Sequence, residues 1–337
     1  VAFCKGLDTI LLKIRGIEMA NTVERIRLGV SQCLLGENVR YDGGHTLAHF
    51  IRDTLGEYMD FVPVCPETEC GLGIPREPMR LAGDPESPRL VTIRTKKDLT
   101  DQMIGWAERR VRQLEKEDLC SFIFKSNSPS CGMERVKVYN EKGIPVKRGV
   151  GLFARIFKAH FPLLPVEDEG RLHDPKLREN FIEGIFALKH WRETLKEKRS
   201  VGNLVAFHTR NKLLFLSHSR KHYRIMGKLV AQATQLSATE LYRRYENLLL
   251  EALHLNTTVK KHINVFQHMM GYFKKMLSSD EKQELNEIIA NYHEGLTPLI
   301  VPMTLFNHYV RKYQEGYLGQ QTYLNPHPAS LKLRNHV

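Results

Sequence analysis

Three short apolar runs, each opening into a loop that carries a cysteine, constrain this chain more than any other feature. Arg27-Leu-Gly-Val-Ser31 and Phe61-Val-Pro-Val-Cys65 read as buried strands, and Cys120-Ser-Phe-Ile-Phe-Lys125 as a third. The segments CLLGENVRYDGGH and SNSPSCG follow the first and third, and Cys65 itself ends the second. Asp101 to Glu115 has helical periodicity. Strand, loop, helix and strand in this alternation predict an α/β unit built on a Rossmann-like, mostly parallel sheet. Ligands of such sheets bind beyond the carboxyl ends of the strands. Ser31–Cys33, Cys65–Glu67 and Ser126–Cys131 all fall there.

The rest of the chain has a different character. From about Val166 to Ser200 it is charged and helix-prone, as a connector would be. Gly202-Asn203 offers a helix start with Asn203 as N-cap, and Leu204 to Gln235 follows without proline. On that helix His208, Asn211, Phe215, His218, His222, Ile225 and Leu229 share one stripe. Arg210, Lys221, Arg224 and Lys228 cluster on another face, about 100° away at 3.6 residues per turn. Helical runs continue over Ala238–Leu255, Lys260–Leu277 and Ser279–His293, and PLIVPMTLFNHYV reads as buried. The expected division is an N-terminal extension at 1–23 that includes Cys4 and precedes or overlaps a start at Met19, an α/β domain at 24–170, a helical connector at 171–200, and an all-α helical domain at 201–337.

Composition narrows the setting. No stretch of the 337 residues approaches the roughly 20 apolar residues that span a bilayer. Six cysteines are too few for a disulfide scaffold, so the reducing cytoplasm is the expected compartment. Residues 201–337 hold 17 Lys and Arg against 9 Asp and Glu, +8 of the chain's formal +12. A basic second half suits a polyanion, RNA first among them, with no membrane or DNA partner expected. A merely soluble basic protein would show the same balance.

Cys33, Cys65 and Cys131 lie 32 and 66 residues apart, without a compact CxxC pattern. By spacing alone they are three free thiols or, converging from several loops, a soft-metal pocket. Glu67, two residues after Cys65, reads as a loop carboxylate. Ser128, before a proline, is a site residue or ordinary turn chemistry. His218 and His222 stand at i and i+4, but no HExxH glutamate accompanies them, which favours core or RNA-facing histidines. Arg40 and Arg76 are loop ion pairs or contacts for an anion. Cys70 and Cys120 read as small buried hydrophobes, and Tyr223, Tyr272 and Phe273 as core or as base-stacking residues.

SQCLLGENVRYDGGH, PVCPETECGLGIPREPMRL, Asp98-Leu-Thr100 and SNSPSCG together resemble, over roughly residues 24–165, the TudS-type thiouracil desulfidase family. The resemblance implies a [4Fe–4S] cluster held by Cys33, Cys65 and Cys131, with one iron not bound by protein and open to substrate as a Lewis acid. It implies that Glu67 and Ser128 sit beside the substrate, where Glu67 would activate water by proton transfer, the alternative being a structural loop carboxylate. Cys70 stands where an aliphatic or small residue is usual, and as a fourth ligand it would close the open iron. FHTRNKLLFLSHS, YRIMGKLVA, NVFQHMMGYFKK, PLIVPMTLFNHY and YLNPHP in turn resemble the YbgA-type domain. The fused arrangement implies hydrolytic, non-redox desulfuration of 4-thiouridine in tRNA, leaving uridine and sulfide. The alternatives are a desulfidase of free thiouracil or thionucleosides, and a non-catalytic RNA-binding iron–sulfur sensor.

Overall fold

The computed structural model describes residues 25–336; the extension at 1–23, with Cys4 and Met19, lies outside them. In chain order the elements are β1 (Ile26–Ser31), β2 (Met59–Val64), the one-turn α1 (Pro66–Glu69), β3 (Met79–Ala82), β4 (Arg89–Thr92), α2 (Thr100–Leu114) and β5 (Ser121–Phe124). Then come β6 (Val136–Tyr139), β7 (Pro145–Gly149), α3 (Leu152–His160), β8 (Val166–Asp168) and α4 (Pro175–Lys196). The helical half follows as α5 (Val201–His218), α6 (Arg220–Ala231), α7 (Ala238–Leu253), α8 (Val259–Tyr272), α9 (Ser279–His293) and α10 (Ile300–Lys312). None of the helices among the described residues is long and apolar enough to cross a membrane.

The expected parallel sheet is present, in the order β2-β1-β5-β8, with every pairing parallel. β1 lies inside it, and five of its six residues are buried, as both faces of a covered parallel strand must be. β2 is an edge strand, which is why it tolerates Pro63: the missing N–H breaks no central ladder. On β1 the residue under the Phe122 ring is Gly29, where a Cβ would stand 2.3 Å from Phe122 Cδ2. The ring therefore lies directly across the strand. It continues into a cluster with Phe124, Phe153 and Phe157, with centroids 4.3 to 6.1 Å apart. α2 adds Met103, Trp106, Ala107, Val111 and Leu114 from one face.

Structure and expectation part at several points. β8 is the fourth strand of the sheet, so the charged stretch from about Val166 opens with a strand of the α/β unit, inside the expected bounds of 24–170; Glu167 and Asp168 are buried in it. The supposed helix from Leu204 to Gln235 is broken at Ser219, whose extended backbone (φ −158°, ψ 111°) ends α5 and whose hydroxyl accepts from His222 N–H to cap α6. Ser200, not Asn203, caps α5. Arg210 therefore sits on a different helix from Lys221, Arg224 and Lys228, and the four do not form one helical face. The stripe fares better: His208, Asn211, Phe215, His218 and His222 are buried, while Ile225 is 38% exposed.

A second sheet, β4-β3-β6-β7, was not foreseen. Its strands are four or five residues long, and four of the five residues of β7 are exposed. Too little apolar periodicity survives in such strands to announce them.

α4 is the structural hub of the helical half. Trp191 on it packs against Tyr242 and Tyr245 of α7 and Phe207 of α5, at 5.1 to 5.6 Å between centroids. Glu179 and Glu183, also on α4, are buried and face Arg334 from the C-terminal segment; Glu179 Oε1 accepts from Arg334 Nε at 3.1 Å, and Glu183 pairs with the other end of the guanidinium. Burial opposes ionisation of Glu183, yet Arg334 and His218 outweigh it and hold its carboxyl well below the usual range. Burial and the Glu183 charge push Glu179 up to about 8. Tyr323 offers its carbonyl to Arg334 Nη1 at 2.9 Å and its hydroxyl to His262 Nδ1 at 2.7 Å. Breaking such a group strands charge in the interior, at about 3–5 kcal/mol. Arg334→Met is thus expected to lower unfolding stability by that amount in a denaturant titration. An unchanged midpoint would mean that α4 is held without it.

Candidate functional site

All three expected cysteines meet in one cavity of about 270 Å³ at the carboxyl ends of β1, β2 and β5, walled also by Glu67, Arg76 and Lys125. The local backbone explains how each gets there. Cys33 sits in the 3-10 turn directly after β1, and its carbonyl accepts from Thr46 N–H at 3.0 Å, folding the long loop back on itself. Cys65 ends β2 and caps α1; its N–H donates to Glu69 Oε1 at 2.9 Å, and Glu69 Oε2 is in turn paired with Arg110 Nε at 3.0 Å.

Cys131 is placed by a tighter device. The Ser128 hydroxyl oxygen accepts from the N–H groups of Ser130 (3.2 Å) and Cys131 (3.1 Å). The carbonyls of Pro129 and Ser130 accept the first free N–H groups of α3, from Leu152, Phe153 and Ala154. Loop and helix therefore satisfy each other's orphan backbone groups. The contact closes over Gly151, where a Cβ would lie 2.5 Å from the Ser130 carbonyl oxygen.

Charge in the cavity is unevenly balanced. Burial, and then the neighbouring Cys65, push the Cys33 thiol up to about 12, against Lys125 and Arg40. Burial raises Cys131 well above the usual thiol range, opposed by a hydrogen bond from the Ser31 hydroxyl. Lys125 is tied to Glu169 and to the Ser126 carbonyl at 3.0 Å. Its N–H donates to Ser31 Oγ at 2.9 Å, which locks β1 to β5 at the cavity floor. Thiolates here need positive charge among them, and three soft donors in a desolvated pocket fit a cationic, thiophilic metal group. Among the described residues no three His, Cys, Asp or Glu are arranged to hold a single metal ion. Thiolates that each bind a separate iron of a cluster have no need to meet at one point.

Glu67 is the carboxylate of the site. Its Oε1 accepts from Ser130 Oγ at 2.9 Å, and its Oε2 from Arg76 Nε at 2.9 Å. Arg76 is almost wholly buried and also donates to the Val39 carbonyl at 2.9 Å, so it clamps the loops of Cys33 and Cys65 together through Glu67. Ser130 was not foreseen; for Arg76 the loop ion pair was, but not that its partner is Glu67. The signal was present in the Pro75-Arg76-Glu77 and Pro129-Ser130-Cys131 segments, but nothing in a sequence says which serine of SPSC turns inward. Ser128 lines the cavity as expected, with its oxygen engaged in holding the loop. Arg40 pairs with Asp42 and donates to Thr46 Oγ1 at 2.8 Å.

Cys70 is absent from the cavity wall; its thiol donates to the Glu67 carbonyl at 3.4 Å and its side chain packs on the core. Cys120 is buried at the opposite end of β5, 3.6 Å from Arg192 Nη1. His218 and His222 do not converge: His218 bonds the Leu255 carbonyl at 2.8 Å and His222 the Ser219 hydroxyl at 2.8 Å.

Comparison with known proteins adds the following. The family model described as 2-thiouracil desulfurase matches residues 28–169, and that described as a protein of unknown function, DUF1722, matches residues 212–328. The chain is 32% identical over 152 residues to the uncharacterized protein YbgA of Escherichia coli (strain K12), a match spanning 45% of this chain and 90% of that protein. It is 32% identical over 108 residues to the uncharacterized protein YbbK of Bacillus subtilis (strain 168), spanning 31% of this chain and 71% of that one. Among solved structures it is similar to a [4Fe-4S]-dependent thiouracil desulfidase, TudS, at 28% identity and a TM-score of 0.37, over 44% of this chain and 95% of the other.

The seating of Cys131 can be tested on its own. Gly151→Ala forces the Ser130 carbonyl to move, so in metal-free protein Cys131 should become reactive to a maleimide while far-UV circular dichroism is unchanged. Labelling as slow as in the parent would mean that the loop is not held by this contact.

Proposed function

We propose, since the chain belongs over residues 28–169 to the 2-thiouracil desulfurase family, that it removes sulfur hydrolytically from a thiolated nucleobase, and that its substrate is 4-thiouridine in tRNA. The observation that carries the reading is the convergence of Cys33, Cys65 and Cys131 from three strand ends on one cavity that also holds Glu67. In this reading the three thiolates hold a [4Fe–4S] cluster and leave one iron without a protein ligand. When bound, the cluster supplies a Lewis-acidic site for the soft thiocarbonyl sulfur.

The chain's own groups supply the rest. Glu67 takes a proton from water as its oxygen joins the thiocarbonyl carbon, and the C–S bond then breaks. Water and thiocarbonyl become carbonyl and sulfide, with no net change of electrons. Arg76 and Ser130 fix both carboxylate oxygens and so aim the base. Cys70 bonds away from the cavity, which supports a cluster held by three cysteines and not four.

A base stacked in folded RNA must be turned outward to enter such a cavity. Affinity for the remainder of the RNA then falls to the basic helical half, which carries +8 of the net charge. Arg210, Lys221, Arg224 and Lys228 are all exposed and available for phosphate contacts, from two helices.

Cys131→Ala is expected to lose most bound iron after anaerobic reconstitution, and all sulfide release. Glu67→Gln should keep its iron while turnover drops by about 10²–10⁴, the usual worth of acid–base catalysis. Full iron in the Cys131 variant would remove the cluster assignment, and loss of iron in the Glu67 variant would make that residue structural.

A further inference from the structure

The helical half carries a surface that this chemistry does not use. An open groove of about 400 Å³ runs along α6, walled by Lys212 from α5 and by Tyr223, Arg224, Ile225 and Lys228 from α6. Arg224 and Lys228 are exposed, and Lys212 is half-buried. Among the described residues none of these three cations is paired with a carboxylate, whereas Arg243 and Arg244 on α7 share Glu240. Unneutralised like charges gathered along one groove repel one another, and a polyanion laid between them relieves the repulsion.

Aromatic surface adjoins the groove. Tyr272, at the end of α8, stacks on Tyr317 with centroids 4.8 Å apart and planes at 17°. Tyr272 is 43% exposed, so the stacked pair is open to solvent. Burial, and then the neighbouring Tyr272 and Tyr223, push the Tyr317 hydroxyl above its usual range, and Tyr223 itself walls the groove. Phe273, beside Tyr272 in sequence, is fully buried instead. Position in the fold, and not composition, decides which ring is offered.

A duplex presents phosphates with its bases stacked inside, whereas a single strand presents phosphates and free base faces together. From the pairing of an unneutralised cationic groove with an exposed tyrosine stack, we propose that this surface binds single-stranded RNA, with phosphates along Lys212, Arg224 and Lys228 and an unstacked base on Tyr272. The inference rests on the reading of the chain as acting on RNA and sharpens it: the helical half recognises a loop and not a stem.

The test uses the full chain and a fluorescein-labelled RNA of about 12 nucleotides without any thiolated base, alone and annealed to its complement. Anisotropy should show tighter binding of the single strand. Tyr272→Ala should weaken that binding by about five- to 150-fold, the worth of one stacked base, without changing duplex binding, and Tyr272→Phe should retain it. Replacing Lys212, Arg224 and Lys228 together by Gln should lower the log–log salt slope by about 2, at roughly 0.7 per phosphate on a single strand. Far-UV circular dichroism and sulfide release from free thiouracil, both at parental levels, exclude misfolding. Equal affinity for strand and duplex, or parental affinity in Tyr272→Ala, would overturn the site. So would a parent that binds no RNA yet releases sulfide. Groove-dependent binding by a protein that releases no sulfide would instead uphold the site and sink the desulfidase reading.

Discussion

Three largely buried thiols and a carboxylate share one cavity, and the α/β unit is arranged around that fact. Ionising Cys33 is opposed first by burial and then by Cys65, and Cys131 feels both. Desolvation of this kind is repaid when positive charge enters among the thiolates. Left alone, loops bearing like charges would spread; here each is fastened. Arg76 ties the first two loops through Glu67 and the Val39 carbonyl, the start of α3 is capped by the third, and Ser31 joins β1 to β5 beneath them. The buried residues of β1 and β5 and the four-ring phenylalanine cluster supply the rigid base from which these loops project.

That frame explains what the sequence disclosed. Buried parallel strands are short unbroken apolar runs, and ligand loops follow their carboxyl ends, so Cys33, Cys65 and Cys131 could be placed together from pattern alone. The second sheet could not: β3, β4 and β6 have four residues each, and β7 lies largely in water, so none has a core face long enough to impose a period. The break at Ser219 escaped for another reason. A serine inside an apolar-periodic run reads as tolerated, and only its bond to His222 N–H shows it to be a cap. The inward turn of Ser130 and the reach of Arg76 depend on loop conformation, which spacing does not encode.

In the proposed reading the two halves divide the work along physical lines. The cavity offers soft donors and a held carboxylate, which suit a reacting thiocarbonyl and give little purchase on an RNA backbone. The helical half offers cations and exposed rings on a scaffold organised by α4, whose Trp191 and paired glutamates anchor it internally. Contacts such as Arg178 over the Phe50 ring, at 4.7 Å, join the start of α4 to the segment leading out of the Cys33 loop.

The central claim is that the cavity desulfurates a base within RNA. It is tested most directly by incubating anaerobically reconstituted protein with bulk thiolated tRNA and following the near-UV absorbance of 4-thiouridine together with sulfide in solution. The account predicts that the absorbance falls and sulfide appears in equal amounts, with uridine left in the digested tRNA. Unchanged absorbance from a cluster-loaded protein, under conditions where free thiouracil is consumed, would contradict it.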